Sequence, residues 1–237
     1  QRYVEGHDFT CLSDHDHIGG VPFADRKGFR GLTPAEWRYM GELTEKYNEP
    51  GEFVTLAGYE WTSYNKGHRN IYYSPSLKDL PLYIHTDPKY NTPAKLVEAL
   101  QGIDCLVVPH STAWKTAEDK YDWGPQFDKQ RSVEIYSTHG ASEYHDNPIA
   151  VHKGHKEAPT DSELIKNLMS YNIQQASPDS GNFVQDALAA GWKFGFIGCG
   201  DLHYLAYIDQ AYEWGITGAY VDEVTREQVF SSLWNRQ

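Results

Sequence analysis

The alternation of short β-type runs with capped helical segments is the feature that most constrains how this chain folds. The runs are rich in β-branched and aromatic residues, and several are followed by a segment that begins with a helix-capping device. Residues 33–36, Thr-Pro-Ala-Glu, combine a Thr N-cap, a Pro at the first helical position and a Glu that completes a capping box. Because strands that alternate with helices build a parallel sheet, the pattern predicts an α/β protein.

The predicted elements extend over the whole chain. Strands are predicted at residues 8–13, 53–59, 71–73, 104–108, 133–137, 193–198 and 216–221. Helices are predicted at residues 33–47, 95–100, 161–169, 183–190 and 225–234. The length of 237 residues suits a single α/β barrel of about 200 to 250 residues. Apolar runs stay well below the roughly 18 residues that a membrane helix needs, so we expect no contact with a membrane.

The charge balance excludes one class of partner. The chain has 33 acidic and 21 basic side chains, which gives a formal net charge of −12. Binding along a nucleic-acid backbone requires clustered cations that neutralise phosphates. We therefore expect a small-molecule substrate and no binding to a nucleic-acid backbone.

Histidines and carboxylates follow the predicted strands at their carboxyl ends. They are the Asp-His-Asp-His run at residues 14–17, Glu60, His110, and the pair Asp201 and His203. In parallel sheets and α/β barrels this edge carries the active site. Imidazoles mixed with carboxylates suit Zn²⁺, Mn²⁺ or Fe²⁺, and a carboxylate can bridge two ions. The sequence lacks a nucleophile elbow and a phosphate-binding Gly-rich loop, so metal-activated water is the predicted nucleophile.

Six segments in a fixed order carry a family resemblance. They are Ser13-Asp14-His15-Asp16, Gly58-Tyr59-Glu60-Trp61, Gly67-His68-Arg69-Asn70, Pro109-His110, Val133-Glu134-Ile135-Tyr136-Ser137 and Gly200-Asp201-Leu202-His203. Together they resemble the PHP (polymerase and histidinol phosphatase) superfamily, in particular a bacterial branch with GHRN and VEIYS-x-HG-x-SE segments. The resemblance implies a distorted (βα)7 TIM-like barrel that holds two or three divalent metal ions and hydrolyses phosphoesters.

The resemblance also implies roles for individual residues. The metal ligands that it implies are His15, Glu60, His68, His110, Asp201 and His203. Catalytic roles fall to Glu60, His139 and Asp201, and Glu134 lies in the pocket. Arg69 and Asn70 are predicted to bind the substrate, Arg69 because it stands beside the ligand His68.

One departure from the PHP pattern bears on both fold and activity. The His-x-His motif that opens PHP proteins is absent, because only 13 residues precede Asp14. The carboxyl end also resembles a chain that continues. We therefore expect residues 1–237 to form one domain that is truncated at both ends and lacks its first βα unit, or a divergent member that dispenses with that unit. Any targeting signal would precede Gln1, so the sequence does not identify a compartment.

The predicted function is a metal-dependent phosphoesterase that acts on a small phosphorylated molecule. Two alternatives remain open at this point. The first is a catalytically impaired metal-binding or scaffold domain, which the missing His-x-His motif favours. The second is a metal-dependent amide or lactone hydrolase, because the same ligands would support that reaction.

Overall fold

The computed structural model describes residues 6–17, 31–63, 65–113, 120–137, 140–145, 181–201 and 215–237. In these ranges the strands are β1 (Phe9–Leu12), β2 (Val54–Ser63), β3 (Gly67–Tyr73), β4 (Cys105–His110), β5 (Ser132–Ser137), β6 (Gly140–Ala141) and β7 (Gly195–Gly198). The helices are α1 (Pro34–Lys46), α2 (Pro93–Ala99), α3 (Val184–Ala189) and α4 (Arg226–Asn235). The predicted helix at residues 161–169 lies outside the described residues.

The strands form two small mixed sheets. The first has the order β1-β2-β3-β4, in which β1 is parallel to β2, and β3 is antiparallel to both of its neighbours. Strands β1, β2 and β4 therefore run in the same direction. The second sheet has the order β6-β5-β7, with β5 parallel to β7 and antiparallel to β6.

The prediction of a distorted (βα)7 TIM-like barrel without its first βα unit is wrong. The described strands form two open mixed sheets and do not close into a barrel. The main cause is β3, because this strand follows β2 through a tight hairpin instead of a helical crossover. Gly67 starts β3 with a φ of +85°, and a Cβ there would come within 2.2 Å of the Tyr121 ring. Residues 216–221, which were predicted to be a strand, also form none.

The predicted start of α1 is confirmed, and α2 begins two residues earlier than predicted. At α1 the Glu36 amide donates to Thr33 Oγ1 at 3.2 Å, and the Thr33 amide donates to Glu36 Oε2 at 2.9 Å. The amide of Lys95 similarly donates to Thr92 Oγ1 at 3.4 Å at the start of α2. These contacts satisfy amides that have no partner within the helix, so the local sequence fixes where each helix begins.

One face of the β2-β3-β4 sheet packs into the main hydrophobic core. Its buried members are Trp37, Tyr59, Trp61, Ile71, Tyr73, Leu96, Leu100, Cys105, Val107 and Phe127. The polar atoms of its aromatic residues are paired: Trp61 Nε1 donates to the Tyr90 carbonyl at 3.1 Å, and Trp37 Nε1 donates to the Leu80 carbonyl at 2.6 Å. This core fixes the three strands, because burial of large aromatic side chains is the main favourable contribution to folding.

A second cluster places α4 against the amino-terminal part of the sheet. Val229 of α4 packs against Val54 and Leu56 of β2. Arg226 adds a hydrogen bond from Nε to the Thr55 carbonyl at 2.7 Å and an ion pair with Glu45 at 2.7 Å. In the part of the chain that the structure describes, every helix is too short or too polar to cross a bilayer.

Candidate metal centre

The second face of the β2-β3-β4 sheet brings Glu60, His68 and His110 together. His68 lies opposite Thr62 on β2 and opposite His110 on β4. Glu60 is two residues from Thr62, and side chains two residues apart lie on the same face of a strand. One ligand atom from each of the three side chains lies within 4.8 Å of the other two. The group is therefore assembled by strand register.

Carboxylates and imidazoles of the site lie in close contact. Glu60 Oε1 lies 2.7 Å from His68 Nδ1. Two further separations are 3.3 Å, from His15 Nδ1 to Glu60 Oε2, and 3.4 Å, from His110 Nε2 to Asp201 Oδ2. His15 and Asp201 therefore lie directly beside the group of Glu60, His68 and His110.

His15 is held at this group by an extension of the β1–β2 ladder. The Glu60 amide donates to the Asp14 carbonyl at 2.9 Å, and the Asp16 amide donates to the Glu60 carbonyl at 2.8 Å. His15 is thereby bridged to Glu60 across the two chain segments. Its Nδ1 lies 2.7 Å from Thr62 Oγ1, which fixes the ring beside the Glu60 carboxylate.

Asp16, the residue after His15, connects a second segment to the site. The Asp16 carboxylate is fully buried and accepts hydrogen bonds from the amides of His17 at 2.8 Å and Thr62 at 2.9 Å. It also accepts from the amide of His85 at 2.5 Å and lies 3.0 Å from His85 Nδ1. Asp16 therefore ties the segment around His85 to the chain beside His15.

Two residues at the site adopt a backbone conformation that side chains other than glycine seldom take. Ser111, which follows His110, has a φ of +45°, and Asp201 has a φ of +48°. Such conformations cost about 1–3 kcal/mol each and persist where the surroundings enforce them. In each case the strain lies at or beside a residue of the site, as is common at functional sites.

Glu134 of β5 joins the second sheet to the site. Its Oε2 lies 2.5 Å from His110 Nδ1 and accepts from Cys199 Sγ at 2.6 Å. Its Oε1 accepts from the Ser111 amide at 3.2 Å. One ligand atom each from His110, Glu134 and Cys199 again lies within 4.8 Å of the others.

The proximity of these charges shifts the pKa values of the site. Burial raises the pKa of Glu60, but His15, His110 and His68 outweigh burial and hold that pKa well below its usual value. Burial lowers the pKa of His15, but Glu60 and Asp201 outweigh it and raise that pKa to about 9. The pKa of His68 is lowered, because burial exceeds the attraction of Glu60. Without a cation, His15 thus stays protonated at neutral pH, whereas His68 loses its proton more readily.

Arg69 and Asn70, the predicted substrate-binding residues, lie on opposite faces of the sheet. Arg69 is 1% exposed and stands between the rings of Trp61 and Tyr121, at 5.7 and 4.7 Å from their centroids. Its guanidinium donates to the backbone carbonyls of Gly67, at 3.3 Å, and Asp122. Asn70 lies opposite Glu60 on the face of the sheet that carries His68, and its buried Oδ1 has no hydrogen bond among the described residues.

The structure therefore brings together five of the predicted site residues: His15, Glu60, His68, His110 and Asp201. His139 and His203 lie outside the described residues. Sequence reasoning missed Thr62 as the partner of His15, and it gave Cys199 no role at the site. A detectable signal for Thr62 was its position two residues after Glu60 in a strand, on the same face.

Comparison with known proteins places the chain among relatives of unassigned activity. It is 26% identical over 218 residues to an uncharacterised protein of Chlamydia pneumoniae, which covers 86% of this chain and 31% of that protein. It is 25% identical over 245 residues to an uncharacterised protein of Chlamydia trachomatis, which covers 98% of this chain and 36% of that protein. The chain thus spans about a third of the length of these relatives. No solved structure matches it.

The resemblance to the PHP superfamily is wrong. The family model that matches is described as a protein of unknown function, DUF3604, and covers residues 20–230. Short segments that combine Asp, His and Gly at strand ends arise wherever a sheet edge gathers metal-type ligands, so they do not identify a family. The match covers most of the sequence, and the chain belongs to the DUF3604 family.

Proposed function

We propose that this chain is a metal-dependent hydrolase whose ion is held by Glu60, His68 and His110. One observation carries the proposal: the ligand atoms of these three side chains converge within 4.8 Å on one face of the sheet. Two imidazoles and one carboxylate with a further open position are the ligand set of catalytic zinc sites in several hydrolases. The same set also suits Mn²⁺ and Fe²⁺.

The chemistry of such a group supports hydrolysis. A divalent ion held this way lowers the pKa of water from 15.7 to about 7 and polarises the scissile bond. Asp201 Oδ2 lies 3.4 Å from His110 Nε2, the nitrogen proposed to face the ion. In this position the Asp201 carboxylate would accept a proton from the attacking water. His15 lies beside the proposed ligands, where Thr62 and Glu60 hold its ring in place.

A small phosphoester is the first candidate substrate. The net charge of −12 disfavours long polyanions, whereas a cation at the site would attract a single phosphate group locally. The placement of Arg69 favours a second candidate, a carboxylic ester, lactone or amide. Because the Arg69 guanidinium donates to backbone carbonyls and is buried, it does not supply a cation for phosphate, and these neutral substrates need none.

The test is a comparison of turnover on p-nitrophenyl phosphate, p-nitrophenyl acetate and a simple lactone, with protein loaded with Zn²⁺, Mn²⁺ or Fe²⁺. We expect metal-dependent turnover of the phosphoester. We expect Asp201→Asn to retain the metal and to lower the rate by about 10² to 10⁴, the usual contribution of a general base. Asp128→Asn, which changes an exposed carboxylate, serves as the matched control.

The outcomes separate the candidates. Turnover confined to the acetate or the lactone would move the assignment to the second substrate class. Metal binding with no turnover of any of the three substrates would contradict the hydrolase and support a metal-binding scaffold domain.

A further inference from the structure

We infer that Glu134 is a positioning residue that fixes His110 with Nδ1 toward Glu134 and Nε2 toward the proposed metal. The inference rests on the metal centre proposed above. It assigns Glu134 and Cys199, which come from the second sheet, to the support of a ligand on the first sheet.

The surroundings of Glu134 show that its carboxylate is fully engaged as an acceptor. It is 2% exposed. It is contacted by His110 Nδ1 at 2.5 Å and accepts from the Ser111 amide at 3.2 Å and from Cys199 Sγ at 2.6 Å. A buried carboxylate with three such partners is held in one orientation.

This arrangement decides the tautomer of His110. An imidazole that binds a metal ion through one nitrogen keeps an N–H donor on the other. Because the Glu134 oxygen accepts from Nδ1 of His110, Nδ1 carries the proton, and Nε2 is the nitrogen left for the ion. Nε2 is also the nitrogen that faces Asp201, at 3.4 Å. Carboxylates that accept from the far nitrogen of a ligating histidine orient that ring and increase its basicity toward the metal.

The contacts of Glu134 with His110 and Cys199 are direct. They measure 2.5 Å from Glu134 Oε2 to His110 Nδ1 and 2.6 Å from Glu134 Oε2 to Cys199 Sγ. Both are hydrogen-bond distances, so Cys199 is assigned as a donor to Glu134 and not as a metal ligand.

Glu134→Gln tests the inference at nearly constant shape. A glutamine side chain presents one oxygen and one NH₂ group, so it cannot accept from both Ser111 and His110 at once. We expect the affinity for Zn²⁺, measured by competition with a chromophoric chelator, to fall about 10- to 100-fold. In ¹⁵N-edited spectra of the Zn²⁺-loaded proteins, we expect the ring of His110 to change from the Nδ1–H form in the parent protein to a mixture of tautomers in the variant.

Two further variants separate positioning from general damage. Glu98→Gln changes an exposed carboxylate on α2 and should leave both readouts unchanged. Cys199→Ser keeps a donor to Glu134 and should retain the metal affinity, and the Co²⁺-loaded parent protein should show no thiolate-to-cobalt charge-transfer band. Such a band would overturn the role of Cys199.

The result for the parent protein distinguishes the two proposals. If the parent protein binds no divalent ion, the proposed function fails. If the parent protein binds Zn²⁺ and Glu134→Gln binds it equally well with an unchanged His110 tautomer, the metal site stands and the positioning role is wrong.

Discussion

The two faces of the β2-β3-β4 sheet have opposite chemistry although they alternate residue by residue. Trp61, Ile71 and Val107 point into an apolar core, where polar atoms such as Trp61 Nε1 have hydrogen-bond partners. Glu60 and His68, on the other face, place a buried carboxylate and an imidazole in direct contact at 2.7 Å. Burial of the core face explains why the strands form. The face that carries Glu60, His68 and His110, called the metal face after the proposed ion, contributes no comparable burial of apolar side chains.

This difference shows how the fold supports a site. A buried cluster of like and unlike charges is costly unless the geometry is fixed by other interactions. Here the aromatic core on one side fixes the strand register that brings His68 opposite His110 on the other. Substitutions on the core face should therefore change the free energy of unfolding with or without metal, and those on the metal face should change mainly the contribution of the metal.

The largest effect is expected for Trp61→Ala on the core face. This change removes a fully buried indole and its hydrogen bond to Tyr90, so we expect a loss of about 3–5 kcal/mol in the free energy of unfolding. Urea unfolding in the presence of a chelator measures it. Tyr39→Ala, at an exposed aromatic of α1, is the control, and we expect it to stay within about 0.5 kcal/mol of the parent protein. Equal losses for the two variants would contradict the assigned core.

The next largest effect is expected for Glu60→Gln on the metal face. A ligand at about 100 times its dissociation constant stabilises the folded state by about 2.7 kcal/mol. We expect this metal-dependent increase in the parent protein and expect it to disappear in the variant. The readout is the difference between unfolding with Zn²⁺ and unfolding with a chelator, which removes any change that the substitution makes to the metal-free protein. A full increase in Glu60→Gln would show that the ion binds elsewhere.

A smaller effect is expected for Ile71→Val, which removes one methylene group from the core face. Such changes cost about 0.5–1.5 kcal/mol. Because Ile71 lies on the face opposite His68, the affinity for Zn²⁺ should be unchanged, and isothermal titration can measure this alongside urea unfolding. A loss of metal affinity without a loss of stability would break the separation of the two faces.

The smallest effect is expected for the alkylation rate of Cys105 after metal removal. Cys105 lies in the core at the start of β4. Burial raises the pKa of the Cys105 thiol to about 12, so at pH 8 only about 1 in 10⁴ molecules carries the reactive thiolate. We expect alkylation at Cys105, located by peptide mass spectrometry, to be slow with or without a chelator and fast in urea. Rapid labelling after chelation alone would show that the metal face holds the core together.

Local signals predicted the elements better than their assembly. The capping box of Thr33 and Glu36 placed the start of α1, because such contacts involve neighbouring residues only. The barrel was wrong because strand order and direction depend on pairings between distant segments. A run of only three residues, 71–73, was recognised in the strand that became β3, so the antiparallel hairpin was missed.

The site residues on strands of the first sheet were predictable for a physical reason. Because β1, β2 and β4 run in the same direction, their carboxyl-terminal parts lie side by side and bring His15, Glu60 and His110 together, although Glu60 lies inside β2 and not after it. The resemblance placed Glu134 in the pocket, but its contact with His110 was not predictable, since that contact joins two sheets whose relative placement no local pattern encodes.

The measurement that tests the central claim most directly is the metal content of the parent protein and of Glu60→Gln. Both are loaded with Zn²⁺, Mn²⁺ or Fe²⁺, dialysed against metal-free buffer and analysed by plasma mass spectrometry. We expect at least about one ion per chain in the parent protein, matching the three-ligand group, and none retained by Glu60→Gln. A parent protein that retains no ion, or a variant that retains as much as the parent, would contradict the account.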